Sequence, residues 1–256
     1  MFKLRDWIDE SKLKRGLSSN PRAIQYLEKH PEKIDWYRLS KNPEALHILE
    51  ANLDKVNWKN IAWNPAALHL LDPEKYMDYS MILSMNPSAI HILEANPELI
   101  DWQYISTNPA AMNLVEKNVD KIDWYYLSQN PAAVHLLKNN LDKVNWWEMS
   151  ANPETIHIIE QNPDLIDWPN LSSNPKAIHL LERNPELIDW PNLSTNPMAL
   201  KMLEENQDKI DWARLSTNPA IFEYDYKNMV RLFTEELMQN RFHPRNMDKF
   251  EGWNLD

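Results

Sequence analysis

The chain has 256 residues, 43% of them hydrophobic, which suffices for a folded core by size and composition. It has no cysteine, two glycines and a formal charge of −11, which excludes disulfides and thiolate chemistry, leaves no glycine-rich loop to cradle phosphate, and opposes contact with a nucleic-acid backbone. No stretch approaches the roughly 18 apolar residues of a membrane span and no signal-peptide core opens the chain, so a soluble intracellular protein with no membrane partner is expected.

Residues 1–19 read as a charged N-terminal cap. They hold the one strong basic cluster, Lys12, Lys14 and Arg15. Leu17-Ser18 is the only trace there of the pattern that follows.

From residue 20 to residue 218 the dipeptide Asn-Pro recurs at Asn20, Asn42, Asn64, Asn86, Asn108, Asn130, Asn152, Asn174, Asn196 and Asn218, always 22 residues apart. A fixed period of this size is the signature of a solenoid, so an all-α solenoid of about nine to ten units is predicted. We number positions within a unit from this Asn as zero. Asn serves as an N-cap, and Pro at the first helical position gives up an N–H that would be unbonded anyway. Apolar residues at +3, +4, +6 and +7 (Ala177, Ile178, Leu180 and Leu181 in one unit) make a two-turn helical stripe. A second Asn-Pro, such as Asn184-Pro185, ends it, because the residue before proline is pushed out of the helical region. Asp at +15 is read as a second N-cap, opening a short helix or 3₁₀ turn that carries Trp at +16 and Leu at +19. The rival reading makes "LIDW" a strand. Pro169 and Pro191 at +17 oppose it, since proline breaks a strand ladder but suits a helix's first turn.

The unit at Asn64 departs from the pattern, with Asp72-Pro73 early and Tyr79-Ser80 where Asp-Trp is expected. In residues 219–256 the second half-unit disappears. Phe222, Tyr226, Met229, Val230, Phe233 and Leu237 mark one longer amphipathic helix, read as a C-terminal cap followed by a tail. At about 10 Å per unit an open stack would reach roughly 100 Å.

Over about residues 17 to 222 the chain resembles short-repeat proteins encoded by large nucleocytoplasmic DNA viruses, whose units read N-P-x-A-I-x-L-L-E-x-N-P-x-x-I-D-W-x-x-L-S. The ending "FHP…KF…W" is similar to tails of such proteins. The resemblance implies an α-helical repeat fold in host cytoplasm or virion. It brings no catalytic residues with it.

Several ladders run through the units. Position +5 is His in six of them: His47, His69, His91, His135, His157 and His179. Equivalent histidines on rungs roughly 8–10 Å apart do not share an ion readily, so each is expected to bond a neighbouring rung and no metal is expected. Trp at +16 recurs in eight units and is expected to form core or groove wall. The serines at +20 and the Asn residues are repeat positions, and no Ser, His and acid stand apart from the pattern as a catalytic set. No catalytic residue and no cofactor are expected.

Positions +17 and +18 vary, and aromatic residues concentrate there at Tyr104, Tyr125, Tyr126 and Trp147. Tyr, Trp and Arg on a rigid surface are the usual material of interaction hot spots. The expectation is a non-enzymatic scaffold binding a protein or peptide at these four residues, a viral structural or host-interaction factor. The alternative is a nucleic-acid-associated helical repeat.

Overall fold

The computed structural model describes residues 2–236 and Met238. The repeat architecture is all-helical, and the regular units have the predicted two-part form. The unit at Asn130 is representative. Pro131–Ala133 make a 3₁₀ turn, Val134–Lys138 continue it as α-helix, and the second helix begins at Trp146. Where the second Asn-Pro is present, the Asn before proline leaves the helical region as expected. Asn162 sits at φ −130°, ψ 60° and Asn184 at φ −133°, ψ 61°.

The core is a repeat of three positions. Position +3 (Ala in most units, Thr155 and Ile221 in two), the aliphatic at +7 and the aliphatic at +19 are buried throughout, as with Ala133, Leu137 and Met149. One unit's two helices enclose little of this surface. Stacking the units buries it in a continuous apolar strip.

What joins the rungs is the Asn at zero, whose amide uses both ends. In the unit at Asn130 the side-chain oxygen accepts from the Ala132 N–H at 3.0 Å, which is the predicted cap. Its Nδ2 donates to Ser106 O at 3.0 Å and Asn108 O at 3.1 Å, on the stretch that leads into the preceding unit. The serine at +20 is also used twice. Ser128 Oγ donates to Trp124 O at 2.8 Å and accepts from the Asn145 N–H of the next rung at 2.9 Å. These polar groups are buried and satisfied, and no buried side-chain donor or acceptor among the described residues lacks a partner.

The same bonds join the last unit to the first. Asn20 Nδ2 donates to Ser216 O at 3.2 Å and Asn218 O at 2.9 Å, repeating the pattern by which Asn42 bonds Ser18 and Asn20. Lys14 N–H donates to Ser216 Oγ at 2.8 Å, as the residue at +15 does elsewhere. The 3₁₀ turn Arg15–Ser19 packs between the helices Trp36–Leu39 and Trp212–Leu215. Outside it β1 (Phe2–Leu4) pairs antiparallel with β2 (Phe222–Tyr224). Ten Asn-Pro units therefore form a closed ring, and the open stack of roughly 100 Å expected from unit spacing is overturned. Each unit turns the chain by a tenth of a circle. From Ser at +20 to position +3 neighbouring backbones meet through one amide side chain. At +13 to +16 and at +5, rungs are bridged by long side chains.

Closure changes the meaning of the two ends. Residues 1–19 supply the half-unit needed to complete the ring rather than capping an open end. Gly16 sits at this seam, where a Cβ would lie 3.0 Å from Ala213 O, Ser216 Cβ and Thr217 Cγ2. Phe222, read as part of the final helix, is instead buried in β2. The C-terminal helix exists as Tyr226–Glu236, but none of its residues is buried and it covers no end of the stack. A ring has no end to cover. Leu237 and the "FHP…KF…W" ending lie outside the described residues.

The unit at Asn64 is a local defect, as its sequence suggests. The serine position of the preceding unit, at Asn42, is Ala62, so Tyr79 at +15 lacks the hydroxyl acceptor available elsewhere. Pro73–Tyr79 runs as a 3₁₀ helix. Asn86 then reaches only Ala62 O, and Asn108 only Ser84 O.

Candidate interaction surface

The second helix of each regular unit is set by its Asp or Asn cap. Asp123 Oδ1 accepts from Tyr125 N–H at 2.9 Å and Tyr126 N–H at 3.3 Å. Asp101 holds Gln103 and Tyr104 in the same manner, and Asn145 holds Glu148. The side chains at +17 and +18 thus leave rigid helix starts at the same phase on successive rungs.

All four aromatic residues singled out from the sequence come together. The Tyr104 and Tyr126 rings lie 5.2 Å apart between centroids, and Tyr125 meets Tyr126 edge-on at 5.1 Å. Tyr125 and Trp147 stack at 6.4 Å with planes 26° apart. Three rungs therefore present one aromatic wall. Tyr125 is 40% exposed and Trp147 47%, whereas Tyr104 and Tyr126 are half-buried beneath them. The Glu148 carboxylate beside the Tyr125 hydroxyl, with burial contributing less, raises its pKa above the ordinary phenol value. Tyr104 is raised likewise, chiefly by the neighbouring Tyr126. At neutral pH both hydroxyls are protonated and able to donate.

The His ladder lies exposed elsewhere on the ring, and its partners differ from the expectation in detail. His47, His69, His135 and His179 do reach the preceding rung, through Nε2, to Glu28, Glu50, Glu116 and Glu160 at 2.7–3.2 Å. His91 and His157 form no such pair among the described residues. The residues at the partner phase are Asp72, in the irregular unit, and Lys138, which is cationic. The four pairs are about half exposed, so each contributes at most about 1 kcal/mol. No group of three potential metal ligands converges among the described residues. None of their helices is long and apolar enough to cross a membrane.

The Trp ladder is mostly half-buried and packs against the core, with Trp58 more open at 42%. A lysine of the next rung lies over several of these indoles. Lys55 covers Trp36, Lys121 covers Trp102, Lys143 covers Trp124 and Lys209 covers Trp190, at 4.5–5.0 Å from the ring centroids. Lys12 completes the series over Trp212 across the seam at 4.9 Å. The sequence reading missed this device. Its signal was a lysine three residues before the Asp-Trp pair's tryptophan, at +13.

Comparison of the chain with family models, with curated proteins and with solved structures finds no match.

Proposed function

We propose that the protein is a non-enzymatic ring scaffold that binds a protein or peptide at the wall formed by Tyr104, Tyr125, Tyr126 and Trp147. One observation carries the reading. These side chains serve none of the ladders that hold the ring, yet they are gathered in contact on rigid helix starts with two of them exposed. Aromatic anchors of this kind dominate interface energetics because they bury a large area at little cost in side-chain entropy. The recurring asparagines, serines and tryptophans are occupied by the ring itself, which argues against a catalytic role for them. A place among viral structural or host-interaction factors rests on the resemblance of the repeat alone.

The test is capture of a partner from cell extract by wild-type protein and by the triple variant Tyr125→Ala, Tyr126→Ala, Trp147→Ala. Truncating such anchors costs about 2 kcal/mol or more, roughly thirtyfold in affinity, so capture should be lost while the helical circular-dichroism signal persists. A folded triple variant that still captures the partner moves the binding surface elsewhere. An unfolded one shows that these residues are core.

A further inference from the structure

The ring covers many of its ladder aromatics with its own cations. Five tryptophans each carry a lysine from the next rung, including Lys12 across the seam. Tyr37, which occupies the same +17 phase as Tyr125 and Trp147, has Lys41 over its ring at 5.5 Å. The wall at Tyr104, Tyr125, Tyr126 and Trp147 is different. No lysine or arginine among the described residues lies over any of its rings. An acid borders it instead: Glu148 lies beside the Tyr125 hydroxyl, and the chain as a whole is at −11.

A π-face flanked by a carboxylate is a cation's environment. The quadrupole of the ring attracts positive charge over its face, and the carboxylate adds a directed acceptor at the edge. Guanidinium suits both better than ammonium, because it stacks flat on an aromatic ring while its fork donates to a carboxylate. Resting on the reading of this wall as the partner surface, we propose that it takes the arginine side chains of a basic segment of the partner protein. The guanidinium would stack over Tyr125 and Trp147 and donate to Glu148. The ligand thus supplies from outside what lysines supply from within on other rungs.

Fluorescence anisotropy of labelled peptides tests this directly, with the intact protein at about 0.15 M salt, where long-range attraction is largely screened. The probes are alternating Gly-Arg, Gly-Lys and Gly-Glu peptides of equal length, and oligothymidylate. The Gly-Arg peptide should bind most tightly, Gly-Lys more weakly, and Gly-Glu and the oligonucleotide not at all. The double variant Tyr125→Ala, Trp147→Ala should lose about tenfold or more in affinity. Trp147→Leu, which keeps apolar bulk without the π-face, should also weaken binding. Glu148→Gln should weaken it more than Glu154→Gln, which removes the same charge on another unit. Equal binding of Gly-Arg by wild type and both aromatic variants would mean that net charge alone attracts the peptide, and the inference fails. Preference for oligothymidylate, or no Gly-Arg binding, also overturns it. Loss of extract capture in the triple variant alongside no Gly-Arg binding would leave the wall as the partner surface and reject only its cationic ligand.

Discussion

Asn130 shows how much of the fold rests on single amides. Its oxygen caps a helix while its nitrogen bonds two carbonyls on the stretch that leads into the preceding unit, and the residue is fully buried. The cap was legible from sequence, because Asn before Pro at a helix start has a known local use. The second use was not, since nothing local says which backbone an amide nitrogen meets. Asn130→Asp separates the two. The carboxylate can still cap, but it sets a buried negative charge against the Ser106 and Asn108 carbonyl oxygens, and should destabilise by about 2 kcal/mol or more at neutral pH. Burial among acceptors raises the folded-state pKa of that new carboxyl above its unfolded value of about 3.9. The penalty is therefore absent when both states are protonated at low pH, and grows as pH rises through the window between the two values. Thermal melts of the variant and wild type across pH should diverge in that direction, and a constant difference would refute the assignment.

Among elements, the second helix is the one that carries both the ring's construction and the aromatic wall. Its Asp cap, its tryptophan and its aliphatic at +19 were readable because each has a fixed offset and a familiar local role. The aromatic wall was readable for the opposite reason: Tyr125, Tyr126 and Trp147 vary where the stack demands uniformity. That they touch one another required the rung spacing, which the period in sequence does not contain. The lysine cover over the indoles was missed on the same grounds, for Lys143 and Trp124 stand 19 residues apart. This contact predicts that Lys143→Ala lowers stability by roughly 0.5–1 kcal/mol. Lys143→Leu should be closer to neutral, since Leu165 and Leu187 occupy the same phase naturally. Denaturant melts of both variants decide it, and a harmless Lys143→Ala would show that the cation contributes nothing there.

For the whole molecule, the repeat was visible and its closure was not. Whether ten identical steps make a rod, a coil or a circle depends on a small angle per step, and that angle comes from unequal spacing on the two sides of each rung. The N-terminal half-unit had also diverged too far to be seen as one, keeping only Leu17-Ser18 of the pattern. Gly16 is the position where closure is most exposed to change, because a Cβ there meets Ala213, Ser216 and Thr217 at 3.0 Å. Gly16→Leu should wedge the seam apart. Small-angle scattering should then show a radius of gyration clearly above that of wild type, while the helical signal is largely kept. An unchanged radius would mean that the seam yields without opening.

The joining of Asn20 to Asn218 by the repeat's own bonds has a consequence for how the molecule comes apart. In an open array of repeats the terminal unit has one neighbour, so unfolding begins there by fraying and runs inward, each step breaking a single interface. Here every unit has two neighbours. The first to leave must break two interfaces at once, after which the remainder is an ordinary array with two loose ends. Melting is thereby converted from gradual erosion into a nucleated event, and the irregular unit at Asn64, with its missing ladder bonds, is the place where it starts.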